Sequence, residues 1–174
     1  LADLFDIVVT DPPWAFASNS KAKPGRNAMR HYECLSDAEL RLMRIPAKRD
    51  ALMFMWTTAP MLRRSMIIGT AWGFDYVSNL VWIKDRIGTG FWARNRHEHV
   101  LILKRGAFPC PSPAPFEDSV IEGGQREHSR KPEDLQDRID AIWPDLTKIE
   151  MFARRQRPGW TTWGNQTEKF NEAP

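Results

Sequence analysis

The chain has 174 residues, of which 42% are apolar and 27% charged; this globular balance supplies one ordinary core and excludes disordered and fibrous classes. A formal charge of +3 and a pI of about 9.0 permit a polyanionic partner without demanding one. Cys34 and Cys110 lack metal-ligand spacing and argue against a disulfide framework, no apolar stretch reaches membrane-spanning length, and no signal peptide is read, so a cytoplasmic protein is expected.

The first predicted strand is Asp6 to Thr10, rich in the β-branched residues that suit a buried strand. Asp11-Pro12-Pro13-Trp14 follows it. Neither proline has an N–H to continue the ladder, so an acid, two prolines and an indole stand just beyond a strand's carboxyl end, where open α/β sheets bind ligands. Residues 15 to 31 read as a long polar loop carrying Lys21, Lys23, Arg26 and Arg30. Ser36 to Glu39 is a capping box opening a short helix that Pro46 stops. Ala51 to Thr57 is a continuous apolar run, predicting a buried strand. Pro60 opens a helix with Met61, Leu62, Met66 and Ile67 at helical spacing, and Gly73 lies past its end.

Tyr76 to Lys84 and His99 to Lys104 are predicted strands separated by a break at Gly88 and Gly90. Proline-rich residues 106 to 117 read as an irregular connection, and Ser119 to Glu122 as a short strand. Pro132 starts a helix with Leu135, Ile139 and Ile142 on one face, and Pro144 stops it. Lys148 to Phe152 and Trp160 to Trp163 are the last strand candidates. Strands alternating with helices predict an α/β sheet with helices on its faces.

The chemistry begins at Asp11. The amino group of a nucleobase is a poor nucleophile because its lone pair is delocalised into the ring. A carboxylate and a carbonyl that accept its two hydrogens favour a pyramidal, more nucleophilic nitrogen, stabilising charge where it develops. The neighbouring indole can stack on a base taken out of its duplex. The plainer alternative is a turn with a packed tryptophan. Lys131, in His128-Ser-Arg-Lys-Pro-Glu133, stands at a helix start and makes a carboxylate site or a solvated basic turn. Glu150 near a strand's carboxyl end can bind ribose hydroxyls or merely flank a core strand. Asn165 and Gln166 offer two amides for a nucleoside, or form a terminal turn. His97 and His99 would share one face of a strand, but no third and fourth ligand stands out; no metal is assigned, and a polar loop or edge strand is expected there.

Eight segments, in order, resemble the MT-A70 family of adenine-N6 methyltransferases: DPPW at 11–14, HYECLSDAEL at 31–40, LMFMWTT at 52–58, VWIK at 81–84, HEHVLILKRG at 97–106, HSRKPEDL at 128–135, KIEMFAR at 148–154 and WTTWGNQ at 160–166. The resemblance they carry covers nearly the whole chain. The resemblance implies a single methyltransferase domain over 1–174 with a Rossmann-like α/β fold. Its sheet is mostly parallel, helices cover both faces, and the order is permuted so that the catalytic motif precedes the cofactor motif. It implies S-adenosylmethionine as cofactor.

By the same matching, Asp11, Pro12, Pro13 and Trp14 are catalytic, with Trp14 on or beside the base and Asp11 also next to the cofactor. Lys131 would hold the cofactor's carboxylate. Glu150, Phe152, Arg154, Asn165 and Gln166 would hold the rest of it, Arg154 standing where many amino-methyltransferases have glycine. Tyr32 and Trp56 fall in the target-base pocket, and Lys21, Lys23, Arg26 and Arg30 would meet the nucleic acid. The basic loop is longer than in the eukaryotic enzymes. DNA is the preferred substrate and RNA the alternative; a non-catalytic nucleic-acid-binding partner is a rival of another class, and cytosine-N4 transfer is disfavoured because related sites there end in Tyr. Homo- or heterodimers are both compatible, and no membrane partner is expected.

Overall fold

The computed structural model describes residues 4–14, 34–90, 92–111, 113–124 and 130–171. Within them the elements run β1 (Phe5–Thr10), α1 (Asp37–Leu42), β2 (Ala47–Thr57), a 3-10 turn (Ala59–Met61), α2 (Leu62–Ala71), β3 (Asp75–Ile83), β4 (His97–Arg105), β5 (Val120–Ile121), α3 (Asp134–Ile142), β6 (Lys148–Met151) and β7 (Thr161–Trp163). The seven strands form one sheet in the order β5-β3-β4-β2-β1-β6-β7. β1 lies parallel to β2 and β6, β7 parallel to β6, and β5 parallel to β3. β4 alone is reversed, pairing antiparallel with β2 and β3. This is the mostly parallel α/β architecture expected.

Successive side chains of a strand point to opposite faces. Val8, Met53, Met55, Leu101 and Ile149 therefore build one core with Leu40 of α1 and with Ile68 of α2. Ile7, Val9, Phe54, Trp56 and Val100 build the other with Leu135 and Ile139 of α3. Burial on both faces explains why β1 and the second half of β2 read as unbroken apolar runs.

The α1 capping box forms as its sequence dictates. Ser36 Oγ accepts from the Glu39 N–H at 3.3 Å, and Glu39 Oε2 accepts from the Ser36 N–H at 2.8 Å. Pro46 does not stop this helix directly. The chain leaves helical geometry at Met43, and Pro46 leads into β2, which starts at Ala47 rather than Ala51. The extra residues are polar, and Lys48 Nζ ties them to Asp6 Oδ2 at 2.8 Å. Pro60 lies in the 3-10 turn that feeds α2, and α3 begins at Asp134, just after Pro132. The His97–His99 segment is neither loop nor edge strand: it opens β4, an interior strand, because β3 covers its outer side. No helix among the described residues is long and apolar enough to cross a membrane.

Candidate active site

The carboxyl ends of β1, β2 and β6 meet the amino end of β4 along one edge of the sheet. The alternation continues past Thr10, so Asp11 follows Ile7 and Val9 to the face that α3 covers. The prolines then bend the chain sharply. Trp14 N–H donates to Pro12 O at 2.8 Å, and Leu35 N–H donates to Pro13 O at 3.0 Å. A carbonyl oxygen has two lone pairs, so this bond leaves one on Pro12 O, in a residue that is itself buried and lines neither cleft described below. Trp14 itself is only 4% exposed and packs with Leu40 and Met55 in the α1–α2 core. Its side chain lines neither cleft described below. The packed tryptophan is thus what this indole is: it anchors the turn, and offers no open face for stacking on a base.

Asp11 is the end of a line of alternating charge. Lys131 Nζ stands 3.0 Å from Asp11 Oδ2 and 3.2 Å from Glu98 Oε2. Lys84 Nζ donates to the other oxygen of Glu98, Oε1. Two cations and two anions therefore neutralise each other beneath the surface, as buried charges must. Burial alone would strip the proton from Lys131, but the carboxylates of Asp11 and Glu98 outweigh it and hold the ammonium above the ordinary lysine range. Burial likewise opposes the charge on Glu98, and Lys131 and Lys84 overcome it, drawing that carboxyl below its usual value. The Lys131 ammonium also lies 5.6 Å from the centroid of the Trp56 ring.

Two clefts open on either side of Asp11, Phe152 and Arg154, which line both. The first runs under α3 and includes Trp56, Lys131, Gln136 and Glu150. The second, of about 290 Å³, is walled by Pro13, Leu35, Trp163, Asn165 and Gln166. The wall between them depends on how β6 ends. Phe152 adopts a φ of 58°, the left-handed region that costs a side-chain-bearing residue on the order of 1–3 kcal/mol. That bend sets its ring edge-to-face with Trp163, centroids 5.3 Å apart. Gly164 completes the arrangement: a Cβ there would stand 3.0 Å from the Ala153 nitrogen and 3.1 Å from the Phe152 carbonyl carbon. A side chain there would press on that backbone, so a glycine eases the close passage of the β7 exit along the β6 exit, which brings Asn165 and Gln166 to the cleft.

Glu150 sits on the floor of the first cleft with its carboxyl pushed up to about 7. Desolvation is the main cause; a hydrogen bond from Gln136 opposes it, the charge of Asp11 adds to it, and Arg157 and Arg155 pull it back. Near neutrality this carboxyl can both donate and accept hydrogen bonds.

The fold thus gathers Asp11, Trp56, Lys131, Glu150, Phe152, Arg154, Asn165 and Gln166 around two adjoining clefts. Tyr32, Lys21, Lys23, Arg26 and Arg30 lie outside the described residues. Glu98 and Lys84 are additions that the motifs alone did not single out. The available signal was an acid within the apolar run of a strand, which needs a buried cation to be stable. Chemically, the set offers a carboxylate and a carbonyl at a strand end, a partly committed ammonium, a near-neutral acid and two amides.

A family model described as MT-A70 matches residues 5–166. The type II methyltransferase M.MunI of a Mycoplasma species is 30% identical, over 92% of this chain and 76% of that protein. An N(6)-adenosine-methyltransferase MT-A70-like protein of Drosophila melanogaster is 30% identical over 94% of this chain, and the N(6)-adenosine-methyltransferase catalytic subunit METTL3 of Homo sapiens 29% over 94%. The chain spans only 27% and 28% of the length of those two.

Proposed function

This chain belongs to the MT-A70 family, and we propose that it transfers a methyl group from S-adenosylmethionine to the N6 amino group of adenine in DNA, as a cytoplasmic enzyme. The observation that carries this reading is the Asp11 carboxylate at the end of β1, between two clefts, with one oxygen bonded to Lys131. The other oxygen and the second lone pair of Pro12 O are then the acceptors for the two N6 hydrogens. Accepting them localises the nitrogen lone pair, and positioning supplies much of the rate. The proton that N6 must lose goes to that free Asp11 oxygen or to water. Trp56 borders the base.

The donor set fits the cofactor. An ammonium has three N–H donors, and Asp11 and Glu98 take two of those on Lys131, so one remains for a ligand carboxylate. Glu150, Asn165 and Gln166 suit ribose hydroxyls and a purine edge, Phe152 offers an aromatic edge, and Arg154 a cation at the wall between the clefts. When bound, S-adenosylmethionine supplies an electrophilic methyl group on a sulfonium.

DNA is favoured over RNA because a relative matched over most of its own length is named a type II methyltransferase, whereas the two adenosine methyltransferases above are several times longer than the match. The basic residues Lys21, Lys23, Arg26 and Arg30 support a polyanionic substrate. The test incubates the protein with labelled cofactor and, separately, duplex DNA, single-stranded DNA and RNA, then identifies the modified nucleoside. N6-methyladenine in DNA is expected. Label confined to RNA would transfer the assignment to RNA, and cofactor binding without label in any polymer would refute the enzymatic reading.

A further inference from the structure

The connection from β3 to β4, described over residues 84–90 and 92–96, is a built loop. Lys84 N–H donates to Arg96 O at 2.8 Å, Gly88 N–H to Asn95 O at 2.7 Å, and Asn95 N–H to Thr89 O at 3.3 Å. Arg96 Nε reaches back to Lys84 O at 3.0 Å, and Arg94 Nε to Gly88 O at 3.4 Å. Gly90 lets the tip close, since a Cβ there would stand 1.9 Å from Ala93 O. This cross-bracing leaves Trp92 fully exposed, above every other exposed large apolar side chain among the described residues. It is not a single scattered apolar residue: Ile87 of the same segment and Ile83 at the end of β3 are also exposed.

Charge says what such a surface meets. Lys84 is engaged by Glu98, but residues 85–96 still carry Arg86, Arg94 and Arg96 against the single acid Asp85, a net +2. Arg86, Arg94 and Arg96 are all exposed. An aromatic plane among cations fits a nucleic acid strand: the phosphates meet the arginines and a base meets the ring. A protein partner of neutral surface would have no use for that charge density. The place agrees. β4 is reversed relative to β2 and β3, so this loop rises from the same sheet edge as Asp11. Its foot, Lys84, is joined to Asp11 through Glu98 and Lys131.

We infer that the β3–β4 loop is a nucleic-acid-gripping arm, in which Trp92 stacks on a base left unstacked when the target adenine is taken out of its helix, and Arg86, Arg94 and Arg96 hold the flanking phosphates. Extruding a base costs stacking, and an aromatic side chain supplied by the enzyme recovers part of it. The inference rests on the proposed nucleic-acid methyltransferase activity and names where that substrate is held.

The test uses the whole chain and a labelled duplex, with affinity read by anisotropy and transfer by label incorporation. Trp92→Ala should raise both Kd and KM for the duplex by about fivefold to a hundredfold, the usual effect of losing one base–aromatic stack. Trp92→Phe should recover most of the loss, because it keeps an aromatic plane. Arg86→Gln should lower the slope of log affinity against log salt by about one. Cofactor affinity should be unchanged in all three. If the wild type methylates DNA and Trp92→Ala binds and turns over the duplex within about twofold of it, the arm is refuted and the proposed activity stands. If Trp92→Ala instead keeps its affinity for DNA but converts a dimer into a monomer on sedimentation, the loop is an interface between copies and the inference is overturned. A wild type that binds no nucleic acid refutes the arm, and failure to transfer to any polymer refutes the activity as well.

Discussion

Two charge clusters flank α3, and they use the same residue types to opposite ends. At its start, Lys131 joins Asp11 and Glu98. Further along, Arg157 Nη2 stands 2.5 Å from Asp137 Oδ1 and 2.9 Å from Asp140 Oδ2, and Asp140 Oδ1 accepts from the Trp160 indole at 2.9 Å. Lys148 donates to the carbonyls of Pro144 and Leu146 and lies 3.5 Å from Asp140. In this second cluster the bonding is used up: both Asp140 oxygens are taken, and two backbone carbonyls hold Lys148. It staples α3 to the β6–β7 connection. In the first cluster, among the described residues, Asp11 keeps one oxygen and Lys131 one N–H, and both residues line a cleft. Spare bonding capacity, not charge or burial, separates the cluster built for a ligand from the one built for the fold.

Removing Asp11 should break the comparison most sharply. Asp11→Ala should cut methyl transfer by about 10²–10³-fold or more, while its circular dichroism spectrum stays that of the wild type. Substantial transfer by this variant would sink the assignment. Glu98→Gln comes next. It leaves two buried ammonium groups with a neutral neighbour, so urea unfolding should show a loss of roughly 3 kcal/mol. A loss no greater than that of a surface charge would mean Glu98 does not hold the line together.

Glu150 gives a pH signature. Its folded carboxyl is pushed up to about 7 against an ordinary value of 4.5. The folded state therefore binds this proton more tightly than the unfolded chain. The resulting stability is whole below pH 4.5, falls as pH rises through the interval, and is gone above about 7. Glu150→Gln does not titrate, so its urea midpoint should vary less over that interval. At pH 8 it should exceed the wild type by roughly 2 kcal/mol. Parallel pH profiles for the two proteins would refute the shift. The smallest effect belongs to the stapling cluster. Asp140→Asn should lower stability by about 1 kcal/mol in thermal or urea unfolding and leave kcat within about twofold, since Asp140 and Arg157 are partly exposed and Lys148 keeps the carbonyls of Pro144 and Leu146. A large kcat loss there would erase the distinction between the two clusters.

Much of this was legible in the residues. The apolar run before Asp11 marked a strand, and the two prolines marked where it must end, so the position of Asp11 at a sheet edge followed from local chemistry. Glu150, Asn165 and Gln166 stand out the same way, each beside a recognisable strand, and the fold brings all three to the clefts. Glu98 was not, because its meaning depends on which strands flank β4 and on a lysine brought from a distant helix start. The side to which Trp14 turns was equally hidden. A tryptophan after a proline turn can face ligand or core, and only the packing of α1 and α2 over that face of the sheet decides. The early start of β2 escaped the apolar pattern because Lys48 is held by an ion pair with Asp6 instead of by burial.

The reversal of β4 has one more consequence. β3 and β4 form an antiparallel hairpin, the one place on the active edge where the chain returns directly without a crossover helix. A hairpin tip can lengthen, shorten or change its residues at little cost in chain entropy, about 0.6 kcal/mol per doubling of a flexible loop. The six co-directional strands need not move when it does. The fold therefore carries a replaceable tool head beside a fixed reaction centre, and new target preferences can be grafted there without rebuilding the machinery that moves the methyl group.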